Sequence, residues 1–204
     1  MRIPSVGIID LGIGNHHSVK KACQSVGAKV FISYDYHILD RCDFLILPGV
    51  GSFPHAFHAL CARSLDSFIL SAHNDSRHIL GICLGMQLLA EYSEEDTLTH
   101  GLSIFSGGVH AFPHRSIHVG WNSVTSEDNP TCKSLSFKND SYFYFNHSFF
   151  LSPSSPNISH SSFFNQDFPA IVQNGNTIGI QFHPEKSQSD GRALLTFLIY
   201  RSIA

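Results

Sequence analysis

The sequence predicts a three-layer α/β fold, with a mainly parallel central sheet and an antiparallel or mixed extension in the second half. Three observations predict it. From residue 5 to residue 93 short apolar runs alternate with helical patterns, the signature of parallel βαβ units. Three of those runs end in glycine-rich turns, at Gly12–Gly14, Gly49–Gly51 and Gly81–Gly85, and in such sheets ligands bind beyond the carboxyl ends of the strands. The second half changes character to aromatic and β-branched runs with little helical periodicity.

The elements follow in order. "SVGIID" (5–10) reads as a buried strand, and Asp10 as the cap of the loop after it. "NHHSVKKACQSVG" (15–27) reads as a helix stopping at Gly27. "KVFIS" (29–33) is a second strand, "DFLILPGVG" (43–51) a third, and residues 55–73 one amphipathic helix. "RHILGIC" (77–83) is a fourth strand, followed by a helix over 84–93. Later, "GGVHAF", "IHVGWNSV", "SYFYFNHSFF", "HSSFF" and "AIVQNGNTIGIQF" read as strands, the last with an Asn-Gly hairpin signal. "YFYF" (142–145) is expected to be buried on both faces, residues 152–162 to form a polar loop, and residues 190–204 a closing helix.

The 204 residues, 43% of them hydrophobic, suffice for one sizeable core, so 1–204 is read as a single domain without linker or repeat. A net charge of −3 and no basic cluster argue against a nucleic-acid surface. No apolar run approaches membrane-spanning length and "MRIPSVGIID" is no signal peptide, so the expectation is a soluble cytoplasmic chain. The five cysteines, at 23, 42, 61, 83 and 132, are odd in number with no CxxC, which disfavours a disulfide framework.

Cys83 stands apart. In Gly81-Ile82-Cys83-Leu84-Gly85 it occupies the corner where a strand becomes a helix, as in a nucleophile elbow with Cys in place of Ser. The helix start favours thiolate over thiol, and the Leu84 N–H there can bind an oxyanion. A lone cysteine more often packs as a small hydrophobe. Here partners are present. His183 and Glu185, in "IGIQFHPEKS" (178–187), are read at i and i+2 of a strand end, facing one side. They complete a Cys-His-Glu triad in which His183 moves the proton and Glu185 holds its tautomer. "LPGVGSF" (47–53) can present a second N–H, that of Val50. It lacks the Lys and Ser/Thr of a phosphate-binding P-loop.

Together these stretches resemble the class I glutamine amidotransferases, and within them the glutaminase subunits of imidazole glycerol phosphate synthase. The matching runs are "IIDLGIGN" (8–15), "LPGVGSF" (47–53), "LGICLGMQLLAEYSEE" (80–95), "GWN" (120–122), "YFYFNHSF" (142–149) and "GIQFHPEKSQ" (179–188). The resemblance implies a flavodoxin-like fold and hydrolysis of L-glutamine to glutamate and ammonia through a thioester on Cys83. It implies no cofactor and no metal, and ammonia delivery to a barrel-shaped cyclase subunit as heterodimer partner, in histidine biosynthesis. Carried over by position, Gln87, Gly49, Gly51 and the backbone at His147, Ser148 and Phe149 would hold the substrate, with Val50 and Leu84 forming the oxyanion hole.

The chain departs from the family pattern at Leu11, Ile13, Gly108, Ala111, Ile117, Asn146 and Phe149. These changes spare the triad, and several lie where the resemblance places the partner surface or ammonia exit. An alternative acceptor therefore stays open, a sugar amidotransferase of surface-polysaccharide biosynthesis. A cysteine peptidase of the same broad fold and a non-catalytic amidotransferase relative are the other classes. "GMQLL" and "HPEKS" disfavour the first and the intact triad the second. His55, His58 and Cys61 share one helix face and could converge on a metal, against the plainer reading of two exposed histidines and a packed cysteine. Trp121 is either core or a partner-facing wedge.

Overall fold

The computed structural model describes residues 2–126, 141–152, 159–163 and 165–203. Among them, nine strands form one sheet in the order β2-β1-β3-β4-β13-β12-β11-β8-β9 and four form a second, β10-β7-β5-β6. The first five in that order are β2 (Lys29–Ser33), β1 (Ser5–Ile9), β3 (Phe44–Leu47), β4 (His78–Ile82) and β13 (Thr177–Ile180). All their pairings are parallel. Beyond them β12 (Gln166–Asn174), β11 (Ser159–Phe163), β8 (His118–Ser126) and β9 (Ser141–His147) pair antiparallel. The parallel half and its antiparallel extension are as the sequence predicts.

The parallel strands are buried on both faces because their alternate residues feed two cores. Val6, Ile8, Phe44, Ile46, Leu80 and Ile82 join one cluster, with Val19 and Cys23 of α1 (His16–Ser25) and Leu194, Leu195, Leu198 and Ile199 of α6 (Gln188–Arg201). Ile9, Leu45, Leu47 and Ile79 join the other, with α2 (Tyr36–Leu39), α3 (Phe53–Cys61), α4 (Leu65–Asn74) and α5 (Leu84–Leu88). That is the layered helix–sheet–helix arrangement. Helix α1 ends as read: Gly27, at φ 88°, donates to Gln24 O and Ala28 to Cys23 O, a Schellman closure. Asp10 caps its loop, its Oδ1 accepting from Gly12 N at 2.8 Å.

Several expectations change. The helix over 55–73 is two, broken at Ser64, which adopts a left-handed φ of 54°. The helix over 84–93 ends at Leu88, and β5 (Ala90–Ser93) takes the rest. Pairing decides this: β5 runs beside β7 (Phe105–Ala111), Tyr92 lying over Gly108, where a Cβ would collide with its ring. Local helical periodicity yields to that sheet, completed by β10 (Phe149–Ser152) and β6 (Thr99–His100). "YFYF" is buried on one face only. Phe143 and Phe145 are buried, while Tyr142 faces solvent. Ser159–Ser162, expected in a loop, lies in β11, while residues 153–158 fall outside the described residues. The hairpin β12–β13 turns on Gly175-Asn176, one residue past the Asn-Gly pair. Strand β13 ends at Ile180, so His183 and Glu185 do not share a strand.

Candidate active site

Strand β4 ends at Ile82 and α5 begins at Leu84, leaving Cys83 at the corner with φ 52° and ψ −110°. A non-glycine residue so placed carries about 1–3 kcal/mol of strain, a cost met at functional sites. The flanking glycines make the corner possible. A Cβ on Gly81 would lie 2.8 Å from Gly85 O, and one on Gly85 would run into Leu47 O at the end of β3. The elbow is therefore pressed onto the loop after β3, and Gly49 lies against Leu84 and Gly85.

The histidine arrives just past the end of the neighbouring strand, β13. Ile180 pairs with Ile82, and Cys83 N donates to Ile180 O at 2.8 Å, setting the two strand ends side by side. His183 follows, and Glu185 lies in a 3-10 turn over Pro184–Lys186. That turn, rather than strand alternation, brings Glu185 Oε1 to 2.9 Å from His183 Nδ1. Ser187 stitches the turn to β9: its hydroxyl donates to His183 O at 2.6 Å and accepts from Tyr144 N at 3.0 Å. Both triad side chains are almost fully buried. Burial disfavours the imidazolium, but hydrogen bonding and charge from Cys83 and Glu185 outweigh it, raising the His183 pKa to about 10. The imidazolium of His183 is therefore favoured beside the Cys83 sulfur.

These groups open on a cavity of about 250 Å³. Of the sequence-predicted residues, Val50, Gly51, Cys83, Leu84, Gln87, His147, Ser148, Phe149 and His183 line it. Gly49 does not, being packed behind the elbow, and Glu185 stands behind His183. The Leu84 N–H belongs to the first turn of α5, where backbone donors lack helical acceptors.

A match to the family model described as glutamine amidotransferase class-I covers residues 7–202. The chain belongs to the class I glutamine amidotransferases. Imidazole glycerol phosphate synthase subunit HisH of Geobacillus sp. (strain WCH70) is 40% identical over 200 residues, covering 93% of each chain. The protein of the same name from Pyrococcus furiosus is 41% identical over 194 residues, covering 93% of this chain and 95% of its own. Among solved structures, PurLQS from Thermotoga maritima superposes with a TM-score of 0.75 at 20% identity, covering 99% of this chain and 98% of its own.

Two residues beside Cys83 and its cavity were not singled out from sequence, and a third, Asn146, was named there only as a family departure. Gln181, fully buried, donates through Nε2 to Cys83 Sγ at 3.7 Å and accepts at Oε1 from Gln87 Nε2 at 3.1 Å. Glu95 lines the cavity, and its Oε2 accepts from Phe53 N at 2.7 Å, fixing the start of α3. Burial pushes its carboxyl upward. Asn146 also lines the cavity, its carbonyl 3.8 Å from Cys83 Sγ. A polar residue in an otherwise apolar strand end was the available signal for Gln181. Nothing local marks Glu95, which reaches the cavity only through the fold of β5.

His147 and His118 are buried beside the pocket, and burial is the main cause that lowers their pKa values to about 3 and about 4. Both are neutral at ordinary pH. Among the described residues no group of three or more His, Cys, Asp or Glu could hold a metal ion. His55, His58 and Cys61 stand exposed, so the expected packing of Cys61 is not found. Cys23, Cys42, Cys61 and Cys83 are free, and Cys132 lies outside the described residues. Among the family departures, Leu11 is buried in the core and Ile13 packs against it.

Proposed function

We propose that this chain, as one domain over 1–204, hydrolyses L-glutamine to L-glutamate and ammonia. The observation that carries the reading is the union, in one cavity, of a cysteine at a strained elbow with a carboxylate-paired histidine. The Cys83 thiolate attacks the carboxamide carbon. Leu84 and Val50 N–H groups bind the oxyanion, and the His183 imidazolium protonates the departing ammonia, leaving a Cys83 thioester. Water, deprotonated by His183, then attacks the thioester carbonyl and releases glutamate and the thiolate. Both Nε2 hydrogens of Gln87 are engaged, by Phe149 O at 2.9 Å and Gln181 Oε1, so its oxygen remains for the substrate. The Glu95 carboxylate suits the substrate's α-ammonium.

The ammonia goes to the cyclase subunit of imidazole glycerol phosphate synthase, in cytoplasmic histidine biosynthesis. The names of the relatives above support this acceptor over a sugar-modifying one. An exposed apolar face on β8 and the residue before it suits a docked protein partner, Ile117, Val119 and Trp121 being 61%, 57% and 47% exposed. Val119 pairs across to Asn146, a residue of the cavity wall, so the face reaches the mouth of the site. Among the described residues no helix is long and apolar enough to cross a membrane.

Glutamate release by the purified chain, alone and with the same organism's cyclase subunit and its ligand, tests the reading. The expected result is strong stimulation by the partner and loss of release in Cys83→Ala. Residual hydrolysis near the wild-type rate in C83A would overturn the triad. An unstimulated chain whose Cys83 still reacts with a glutamine-analogue chloroketone would overturn the partner.

A further inference from the structure

Behind the pocket lies a run of hydrogen bonds with only one consistent assignment of protons. His147 Nδ1 lies 2.8 Å from Phe149 O. A carbonyl only accepts, so Nδ1 carries the proton and Nε2 of this neutral ring is a lone pair. His118 Nδ1, 3.1 Å from that Nε2, must therefore be N–H, which leaves His118 Nε2 as an acceptor. Asn122 Nδ2 donates to it at 3.3 Å. The amide of Asn122 is itself fixed at both ends: Nδ2 also donates to Ser162 O at 2.9 Å, and Oδ1 accepts from Ser123 N at 2.8 Å.

The far end of this run is the substrate pocket. Phe149 O receives both His147 Nδ1–H and Gln87 Nε2–H, so it ties residues 147–149 to α5. His118 does not itself line the pocket. It is stacked between Phe145, at 4.7 Å and 19°, and Phe163, at 4.3 Å and 20°. That sandwich fixes the plane of the ring, and the Asn122 amide fixes its tautomer.

We propose that His118 is a positioning residue for glutamine binding: by donating Nδ1–H to His147 Nε2 it locks the carbonyl of Phe149, and with it the 147–149 backbone and Gln87, in the ligand-holding arrangement. This rests on the glutaminase reading above. His118 acts through His147 and takes no part in bond making, so its loss falls on substrate binding rather than on the chemistry of Cys83.

His118→Phe keeps the aromatic stack and removes both hydrogen bonds. In the full chain assembled with the cyclase subunit, H118F raises KM for glutamine about tenfold, the scale of one displaced hydrogen bond. kcat stays within about twofold and alkylation of Cys83 by iodoacetamide is unchanged, as fits a loss of binding common to ground and transition states. His118→Asn, whose Nδ2–H can stand in for the imidazole Nδ1–H, recovers most of the loss. An unchanged KM in H118F, a fall in kcat at constant KM, or an H118N no better than H118F would overturn the proposal. Imidazole ¹⁵N shifts of the unmutated chain supply a test independent of activity and of how H118F folds. Both rings are expected to carry the proton on Nδ1, and Nε2–H on either would overturn the inference. A wild-type complex that releases no glutamate would overturn the glutaminase reading and this inference with it. An active wild type with an unresponsive H118F would overturn the inference alone.

Discussion

Gln181 donates through its carboxamide Nε2 to the sulfur of Cys83, 98 residues earlier in the chain. The same side chain accepts from Gln87, so one buried amide joins the elbow cysteine to a residue lining the cavity. Gln181→Leu removes a hydrogen-bond donor to the Cys83 sulfur and strands a Gln87 donor. The expected outcome is a fall of about tenfold to a hundredfold in kcat/KM for glutamine, together with slower iodoacetamide alkylation of Cys83 at pH 7. Steady-state assay and timed alkylation of the folded variant check both. Unchanged alkylation would mean that Gln181 serves packing alone.

The triad makes a signed prediction in pH. His183 titrates near 10 when folded against an ordinary 6.5, so folding favours its protonated form. A group with a raised folded pKa contributes stability that is complete below the unfolded value and lost as pH climbs through the folded one. His183→Gln should therefore be less stable than wild type at pH 6, with the gap shrinking as pH rises through about 10. Denaturant unfolding of both proteins at several pH values between these limits measures the gap. A gap that widened with alkali would contradict the imidazolium assignment.

Two backbone positions should move stability in opposite directions. Gly85→Ala places a methyl against Leu47 O at the elbow, with no flexible side chain to yield. A loss of about 1–3 kcal/mol or more is expected, with activity reduced further, because the loop carrying Val50 is displaced. Ser64→Gly relieves a left-handed residue between α3 and α4 and should raise stability by about 0.5–1 kcal/mol without touching activity. Thermal or denaturant melts decide both signs.

The parallel half of the fold was legible because its strands are short, apolar throughout and separated by glycine turns. That pattern leaves little choice of architecture. The elbow was legible for the same local reason. What sequence could not give was set by contacts far along the chain. Residues 84–93 carry helical spacing, yet Tyr92 pairs with Gly108 and pulls the last four into a sheet. Residues 55–73 look continuous, yet a single left-handed serine divides them. His183 and Glu185 were read as strand neighbours, but a 3-10 turn makes their hydrogen bond. Glu95 and His118 gain their roles only through tertiary neighbours, and no periodicity marks either.

The parallel pairing of β4 with β13 has a consequence for how the molecule comes to life. Cys83 and His183 sit just past adjacent strand ends but are separated by almost half the chain, and β13 lies between β4 and the whole antiparallel half. Closing so long a loop is slow, and parallel neighbours offer no hairpin to guide them. During synthesis Cys83 emerges well before His183. Cys83 thus gains His183 as a neighbour only when β13 takes its place beside β4.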